Sequence, residues 1–168
     1  MKIYITVIGS SIVPDKRVYD LAYKVGYEIG KRKAVLVCGG RGGVMEAAAK
    51  GAKDAGGTTV GILPGFSRSE ANPYIDIAIP TGMSHARNAI NVLAGDSVIV
   101  VHGGPGTLSE IGLALAYGKP VIALRPSGGV ASLLADRLIG SFKIHRADSP
   151  EEAVEKAFSL SKFSNSVF

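Results

Sequence analysis

The chain has 168 residues, 46% of them hydrophobic, which is enough apolar material for one independent core, so we expect a single domain over residues 1–168. A single cysteine excludes an internal disulfide, and the three histidines are too far apart in the sequence for metal-ligand spacing, so we expect no metal site. The sequence does not open with a charged segment followed by an apolar one, and it has no apolar run of about 20 residues, so we expect a soluble, cytoplasmic protein that does not enter a membrane.

The net charge of +5 is concentrated in the first third of the chain. Residues 1–54 contain ten Lys or Arg and five Asp or Glu, whereas the remainder contains nine of each. Such a basic segment suggests nucleic-acid binding. Against this, acidic and basic residues alternate at a spacing of four, which is typical of ion pairs on an exposed helix face. These residues are Asp20, Lys24, Glu28 and Arg32. We therefore rank nucleic acid last among the possible partners.

Short segments rich in β-formers recur along the chain, and segments with helical periodicity separate most of them. The predicted strands are 3–8, 34–38, 58–63, 75–79, 97–101, 121–124 and 142–145. Near-continuous apolar strands are typical of a parallel sheet that is covered on both faces. We therefore predict an α/β fold, Rossmann-like and doubly wound, with a mainly parallel sheet of about seven strands and helices on both faces.

The predicted helices are 15–32, 44–55, 84–94, 107–117, 129–139 and 150–161. In the first of them, Tyr19, Tyr23 and Tyr27 form a stripe at a spacing of four. This stripe lies either at the edge of the core or in a subunit contact. Small apolar-rich α/β domains commonly self-associate, so we expect a homo-oligomer, either a dimer or a tetramer. The non-periodic segment 64–73 follows a strand and is predicted to form a rim loop over the site.

Three turns rich in glycine or other small residues follow predicted strands. The carboxyl ends of parallel strands share one edge of the sheet, so these turns meet there. Their backbone N–H groups can surround an anion, and a following helix adds partial positive charge. The spacing matches neither a dinucleotide fingerprint nor a Walker A loop, so we predict another kind of phosphate or nucleotide site. Its residues are Gly9, Ser10, Gly39, Gly40, Gly42, Gly43, Gly103, Gly104, Gly106 and Thr107.

Glu110 has two interpretations. The spacing Thr107-x-x-Glu110 is typical of a capping box, in which the glutamate reaches back to the helix N-cap. Alternatively, Glu110 is a functional acid, and because a phosphate repels it, it would bind sugar hydroxyls or orient water. Spacing alone leaves both interpretations open.

Three further side chains have both a ligand-binding and a structural interpretation. Arg87 falls in the first turn of a predicted helix, where its charge opposes the helix dipole, and an anion at the mouth of the site would explain it. The alternative is an exposed arginine without a ligand. His102 ends a strand and either makes structural hydrogen bonds or meets the ligand. Arg41, inside a glycine-rich turn, either clamps a phosphate or is solvated.

Three ordered motifs resemble those of a known superfamily over nearly the whole chain. The motifs are Gly39-Gly40-Arg41-Gly42-Gly43-Val44-Met45, then Met83 with Arg87, and Gly103-Gly104-Pro105-Gly106-Thr107-Leu108-Ser109-Glu110. They are similar to motifs of the Rossmann-like group that contains the LOG cytokinin-activating phosphoribohydrolases, often mislabelled lysine decarboxylases, and the molybdenum cofactor carrier proteins.

The resemblance implies roles for particular residues. In the phosphoribohydrolases the third motif holds a 5′-phosphate, and the motif arginine and glutamate, here Arg87 and Glu110, serve cleavage of the base–ribose bond. Asn88 and His102 stand where those enzymes usually have lysine and proline. The segment 83–88 looks closer to the carrier branch, whose members are thought to bind a phosphate-bearing pterin or nucleotide without cleaving it. The predicted ligand-binding residues therefore include Met83, Asn88 and His102.

These observations support three hypotheses. The first is a protein that binds a phosphate-bearing nucleotide or nucleotide-like cofactor such as the molybdenum cofactor, with no cofactor required by the sequence itself. The second is an enzyme that hydrolyses a nucleoside 5′-monophosphate to free base and ribose 5-phosphate. The third is nucleic-acid binding through the basic first third. A lysine decarboxylase is excluded, because none of the three loops contains a lysine that could form a Schiff base.

Overall fold

The computed structural model describes residues 2–164, so Met1 and residues 165–168 of the predicted domain 1–168 lie outside the described residues. The strands are β1 (Tyr4–Gly9), β2 (Val35–Cys38), β3 (Thr58–Leu63), β4 (Ile77–Pro80), β5 (Ser97–Val101), β6 (Val121–Leu124), β7 (Leu138–Ile139) and β8 (Phe142–Ala147). The α-helices are α1 (Lys16–Lys31), α2 (Val44–Asp54), α3 (Arg87–Ala94), α4 (Pro105–Ala116), α5 (Gly129–Leu134) and α6 (Pro150–Ser164). Three-residue 3-10 turns occupy Arg68–Glu70, Ser84–Ala86 and Arg125–Ser127.

The strands form an eight-stranded sheet in the order β4-β3-β2-β1-β5-β6-β8-β7. Neighbouring strands pair in parallel throughout, except that β7 is antiparallel to β8. All residues of β2, β5 and β6 are buried, as the apolar runs predicted. The Rossmann-like α/β fold is confirmed, with eight strands instead of about seven.

Helices cover both faces of the sheet, and each face has its own core. Helices α1, α2 and α6 pack on one face, and α3, α4 and α5 pack on the other. Strand β5 supplies both cores because alternate side chains point to opposite faces: Ile99 and Val101 to the first, Val98 and Val100 to the second. Within residues 2–164, none of the helices combines the length and apolar character needed to cross a membrane.

The tyrosine stripe lies where α1 packs on α2. Tyr19 packs against the first core, and the rings of Tyr23 and Tyr27 stack with their centroids 6.3 Å apart. The Tyr23 hydroxyl donates a hydrogen bond of 2.9 Å to Asp54 on α2, which also pairs with Lys50. These contacts agree with the interpretation of the stripe as an edge of the core.

The predicted helix 129–139 is wrong in its second half. Helix α5 ends at Leu134, and Leu138–Ile139 form the edge strand β7 instead. Asp136 and Gly140 adopt positive φ angles of 63° and 60°, which a continuous helix does not allow. The apolar spacing fits a helix face as well as a short hairpin, so the periodicity alone favoured the wrong element. The predicted helix 84–94 begins with a 3-10 turn, and α3 starts at Arg87.

Candidate functional site

The strand order reverses between β1 and β5, so the loops that follow these two strands lie side by side. Gly9 at the end of β1 is the register partner of Val101 at the end of β5. Doubly wound sheets bind their ligands at this kind of switch point. A cavity of about 360 Å³ opens there, and a second cavity of about 510 Å³ adjoins it. The walls of both cavities include Ser11, Met45, His85 and Arg87.

Hydrogen bonds join the two switch-point loops. The Ser10 hydroxyl oxygen accepts a hydrogen bond of 3.0 Å from the Gly103 N–H and lies 2.7 Å from Nδ1 of His102. The His102 N–H donates to Oγ of Ser127 at 2.6 Å. His102 itself has a positive φ of 56° and does not line either cavity. Its contacts match the structural interpretation, since they hold the glycine-rich loop against β1 and the 3-10 turn after β6.

The capping-box interpretation of Glu110 is wrong. Helix α4 begins at Pro105, two residues before the predicted start, and its N-cap is Gly104. Proline suits the first helical position because its φ is already helical and it needs no N–H partner there. Thr107 therefore lies inside the first turn, and the buried Glu110 accepts a hydrogen bond from Nδ2 of Asn91 at 2.9 Å. The carboxylate faces α3 and the cavity, not its own N-cap.

The N-terminus of α4 opens into the first cavity. No side chain among the described residues caps this helix end. A Cβ added at Gly104 or Gly106 would meet no atom within 4 Å, so the space above the backbone is free. The N–H groups of Gly106 and Thr107 start the helix, where the dipole concentrates partial positive charge. This arrangement can bind a phosphate or another anion.

Arg87 lies in the wall between the two cavities. Its Nη1 donates a hydrogen bond of 2.9 Å to the Ile62 carbonyl on β3, and its buried Nε has no partner among the described residues. Burial lowers the pKa of the guanidinium, and the charge of Glu110 opposes that effect. A Cβ at Gly39 would overlap the guanidinium in this position, so the glycine leaves room for Arg87 where it lies. Arg87 is therefore held by the sheet edge and is not a freely exposed side chain.

Glu110 is an acid in a nearly closed environment, with 8% of its surface exposed. Desolvation raises its pKa, while the hydrogen bond from Asn91 and the charge of Arg87 act in the opposite direction. Asn91 was not among the predicted site residues. The spacing could have indicated it, because Asn91 lies four residues after Arg87 and therefore on the same helix face.

The other predicted residues divide into three groups. Besides Arg87 and Glu110, the first cavity is lined by Gly9, Ser10, Gly39, Asn88, Gly104, Gly106 and Thr107. The second is lined by Arg41 and Gly42. Neither cavity wall includes Gly40, Gly43, Met83, His102 or Gly103. Among residues 2–164, no group of three or more His, Cys, Asp or Glu side chains is placed to hold a metal ion.

The sheet order and the loops at the switch point define a Rossmann-like α/β protein. The model of the SLOG cluster4 family matches residues 2–154. The chain therefore belongs to the SLOG cluster4 family.

Two relatives illustrate the range of similar sequences. A protein of Archaeoglobus fulgidus, described only as uncharacterized, is 44% identical over 147 residues, which are 88% of this chain and 89% of that protein. The cytokinin riboside 5′-monophosphate phosphoribohydrolase of Mycobacterium tuberculosis is 34% identical over 125 residues, which are 69% of this chain and 67% of that enzyme. The resemblance to the LOG group is thus confirmed at the level of sequence.

The chain is also similar to solved structures of the molybdenum cofactor carrier branch. The molybdenum cofactor binding protein of Rippkaea orientalis has a TM-score of 0.86 and 40% identity, over 95% of this chain and 98% of that one. The molybdenum cofactor carrier protein of Chlamydomonas reinhardtii has a TM-score of 0.81 and 35% identity, over 95% and 98% of the two chains. The chain is therefore similar both to the hydrolases and to the carriers.

Proposed function

We propose that this protein binds a phosphate-bearing nucleotide or nucleotide-like cofactor, with the phosphate at the N-terminus of α4. The main support is the uncapped helix end at Gly104, which opens into a cavity and has free space above Gly104 and Gly106. Glycines that no packing requires, in a position where backbone N–H groups face a cavity, suit the close approach of an anion.

Size and charge support the same proposal. A cavity of about 360 Å³ falls within the range of roughly 300–1,000 Å³ that is usual for small-molecule sites. Arg87 brings a cation into its wall, and Arg41 brings another to the adjoining cavity. The adjoining space gives room for a ligand larger than a mononucleotide. A pterin cofactor with a phosphate, as in the carrier proteins, fits this chemistry: an anion site at α4 and other polar groups in the wall of the same cavity.

Isothermal titration calorimetry tests the proposal. Folded wild-type protein is titrated with AMP, GMP, inorganic phosphate and molybdopterin. We expect heat of binding with at least one of these ligands, and binding that weakens as salt rises, because an anion is being bound. Absence of heat with all four ligands, from protein whose circular dichroism spectrum is that of the folded state, would refute the proposal.

A second candidate function is hydrolysis of a nucleoside 5′-monophosphate. It is favoured by the buried Glu110 in the cavity wall, close enough to Arg87 for each charge to affect the pKa of the other group. In this reaction the water oxygen bonds to C1′ of the ribose as the C1′–N bond breaks, and the base leaves with the electron pair and takes up a proton. Glu110 would stabilise the positive charge that develops on the ribose or orient the water, and Arg87 would pair with the phosphate.

Chromatography of free base distinguishes the two functions. If the protein hydrolyses nucleotides, AMP or GMP is converted to base and ribose 5-phosphate, and Glu110→Gln lowers the rate by about 100-fold or more. Glu151→Gln, an exposed glutamate on α6, is the control and is expected to keep the wild-type rate. If wild-type protein binds the nucleotide but releases no base, hydrolysis is refuted and binding is the function.

We do not propose nucleic-acid binding. Of the ten basic residues in 1–54, six form ion pairs, so much of the local positive charge is neutralised within the protein. These six are Lys16, Arg17, Lys31, Arg32, Lys50 and Lys53. The helix face is ion-paired, but not by the pairs that the spacing predicted: Asp20 pairs with Lys16 and Glu28 pairs with Lys31. Arg32 pairs with Glu155 on α6, and Lys24 has no ion-pair partner among the described residues.

We propose that two or more copies of the chain associate through α3 and α4. These helices pack beside each other and leave three large apolar side chains partly exposed: Ile90 by 37%, Leu93 by 46% and Leu108 by 48%. Burying such residues against a second copy removes apolar surface from water. This face of α3 and α4 adjoins the first cavity, because Asn88 on α3 and Thr107 on α4 line that cavity.

A further inference from the structure

Asn91 is a buried polar residue with one hydrogen-bonding group left over. It lies on α3, is 1% exposed and borders the first cavity. Its Nδ2 donates to Oε1 of Glu110 at 2.9 Å, and its main-chain carbonyl accepts from Oγ1 of Thr6 at 2.9 Å. Its side-chain oxygen Oδ1 has no partner among the described residues.

The orientation of the carboxamide follows from the chemistry of its neighbour. An ionised carboxylate only accepts hydrogen bonds, and the structure accordingly places the NH₂ group of Asn91 toward Glu110 and the oxygen away from it. Buried side-chain oxygens almost always have a donor, because leaving one unpaired is costly. An unpaired acceptor on a residue that borders a cavity therefore calls for a donor from a molecule in that cavity.

We infer that Asn91 reads the bound ligand: its Oδ1 accepts a hydrogen bond from an O–H or N–H group of the molecule whose phosphate lies at α4. The inference rests on the proposed function and extends it to the non-phosphate part of the ligand. Gly106 and Asn91 border the same cavity, so one molecule can meet both. With Glu110 beside it, Asn91 makes this part of the wall a site for hydrogen-bond donors, either ribose hydroxyls or the N–H edge of a base or pterin.

Asn91 also has a positioning role toward Glu110. The hydrogen bond from Nδ2 opposes the desolvation that raises the pKa of Glu110. The Arg87 guanidinium favours the ionised form of this carboxyl. The charge of Glu110 also acts on the Cys38 thiol, whose pKa burial raises to about 12, so that the thiol is neutral. Asn91 and Arg87 thus both favour the ionised, hydrogen-bond-accepting form of Glu110, in opposition to its desolvation.

Calorimetry with matched ligands tests the ligand-reading role in wild type and Asn91→Leu. We expect Asn91→Leu to weaken AMP or GMP binding by about tenfold or more and to leave the affinity for inorganic phosphate unchanged. Thr6→Val is the control, because it removes the hydrogen bond to the Asn91 main chain but keeps the carboxamide. It is expected to lower the melting temperature and to retain nucleotide affinity. Equal nucleotide affinity in Asn91→Leu and wild type would overturn the inference.

Ligand analogues identify which donor is read. If it is a ribose hydroxyl, 2′-deoxy-AMP or 3′-deoxy-AMP binds wild type more weakly than AMP, and the difference disappears in Asn91→Leu. If it is the base edge, IMP, which lacks the 2-amino group, binds more weakly than GMP, again only in wild type. Differences of the same size in wild type and Asn91→Leu would show that another residue contacts the donor.

The positioning role is tested without ligand. Carbon-13 NMR of labelled protein follows the Glu110 carboxyl, assigned with Glu110→Gln, and we expect Asn91→Leu to raise its pKa above the wild-type value. If Asn91→Leu does not fold, Asn91→Asp takes its place in the titration, because aspartate keeps the size of asparagine and a hydrogen-bond acceptor. It replaces the donor by a second acid, so the two carboxyls are expected to share a proton and titrate higher still. An unchanged Glu110 pKa would refute the positioning role.

Failure of the proposed function and failure of the ligand-reading role give different results in these experiments. If wild type binds none of AMP, GMP, inorganic phosphate and molybdopterin, the ligand-reading role fails together with the proposed function, while the NMR titration still decides the positioning role. If molybdopterin alone binds, the comparison of wild type with Asn91→Leu is made with molybdopterin, and equal affinity overturns the ligand-reading role. If wild type and Asn91→Leu bind AMP and GMP equally well, the proposed function stands and the ligand-reading role of Asn91 is wrong.

Discussion

Ser10 and His102, 92 positions apart in the chain, lie 2.7 Å apart through Oγ and Nδ1 at the switch point of the sheet. The same hydroxyl oxygen accepts from the Gly103 N–H, so a single serine holds the start of the glycine-rich loop. Strands β1 and β5 are neighbours only because the strand order reverses there. The loop geometry that suits an anion therefore depends on a contact between two distant segments.

Replacement of Ser10 by alanine tests this dependence. We expect Ser10→Ala to lower the free energy of unfolding by about 1–2 kcal/mol, because the buried Gly103 N–H loses its acceptor. Phosphate affinity should also fall, since the loop is less well held. Urea denaturation and calorimetry measure the two effects. Ser132→Ala, an exposed serine on α5, is the control, and a Ser10→Ala protein as stable as that control would contradict the role given to the hydroxyl.

Gly106→Ala separates ligand binding from stability. A Cβ at Gly106 meets no protein atom within 4 Å, and alanine is favoured over glycine in a helix, so we expect a gain of about 0.5–1 kcal/mol in the free energy of unfolding. The methyl group would occupy space that the phosphate needs, so affinity should fall by about tenfold or more. Thermal melts and calorimetry give both numbers.

Gly112→Ala is the matched control for that variant. Gly112 lies on the same helix, and a Cβ there also meets no atom within 4 Å. The stability gain should be similar, but Gly112 does not line the cavity, so ligand affinity should stay at the wild-type value. If both variants bind phosphate like wild type, the anion does not lie on this helix end.

The pH dependence of stability reports on Glu110. Its folded-state pKa is raised above the ordinary value of 4.5, chiefly by desolvation, so the folded protein holds this proton more tightly than the unfolded chain does. The stability contribution is complete below pH 4.5 and is lost as the pH rises through the folded pKa. We therefore expect Glu110→Gln to gain stability relative to wild type as the pH rises from 4.5 through the folded pKa, with a constant difference above it. Denaturation at several pH values measures this, and a stability difference that does not change with pH would contradict the raised pKa.

Self-association is tested at Leu93. The side chain is 46% exposed in the last turn of α3, where a cation suits the helix dipole, so Leu93→Lys should not unfold the chain. Light scattering is expected to give at least a dimer for wild type and a monomer for Leu93→Lys. Leu133→Lys on α5, where the leucine is 68% exposed, is the control that should keep the wild-type mass. A monomeric wild type would refute the proposed association.

The sequence predicted most of the fold because the signals are local. Strands β3, β5 and β6 have the predicted bounds, since each is an apolar run ended by a proline, a histidine–glycine turn or a charged residue. The turns after β1, β2 and β5 were correctly expected at one sheet edge, because parallel strands point the same way. The hairpin of β7 was missed because two-residue strands leave no periodicity to detect.

For the site, the sequence by itself determined the residue types: glycines after buried strands, an arginine and a glutamate in later helices. Only the tertiary structure decided their partners. Helix α4 begins at Pro105 and not at the predicted Thr107, so Glu110 does not cap its own helix. It accepts a hydrogen bond from Asn91 on another helix instead. Gly39 made room for Arg87 against β3. These pairings join residues that are distant in sequence, and their energy comes from burial and hydrogen bonding across elements, which no local pattern records.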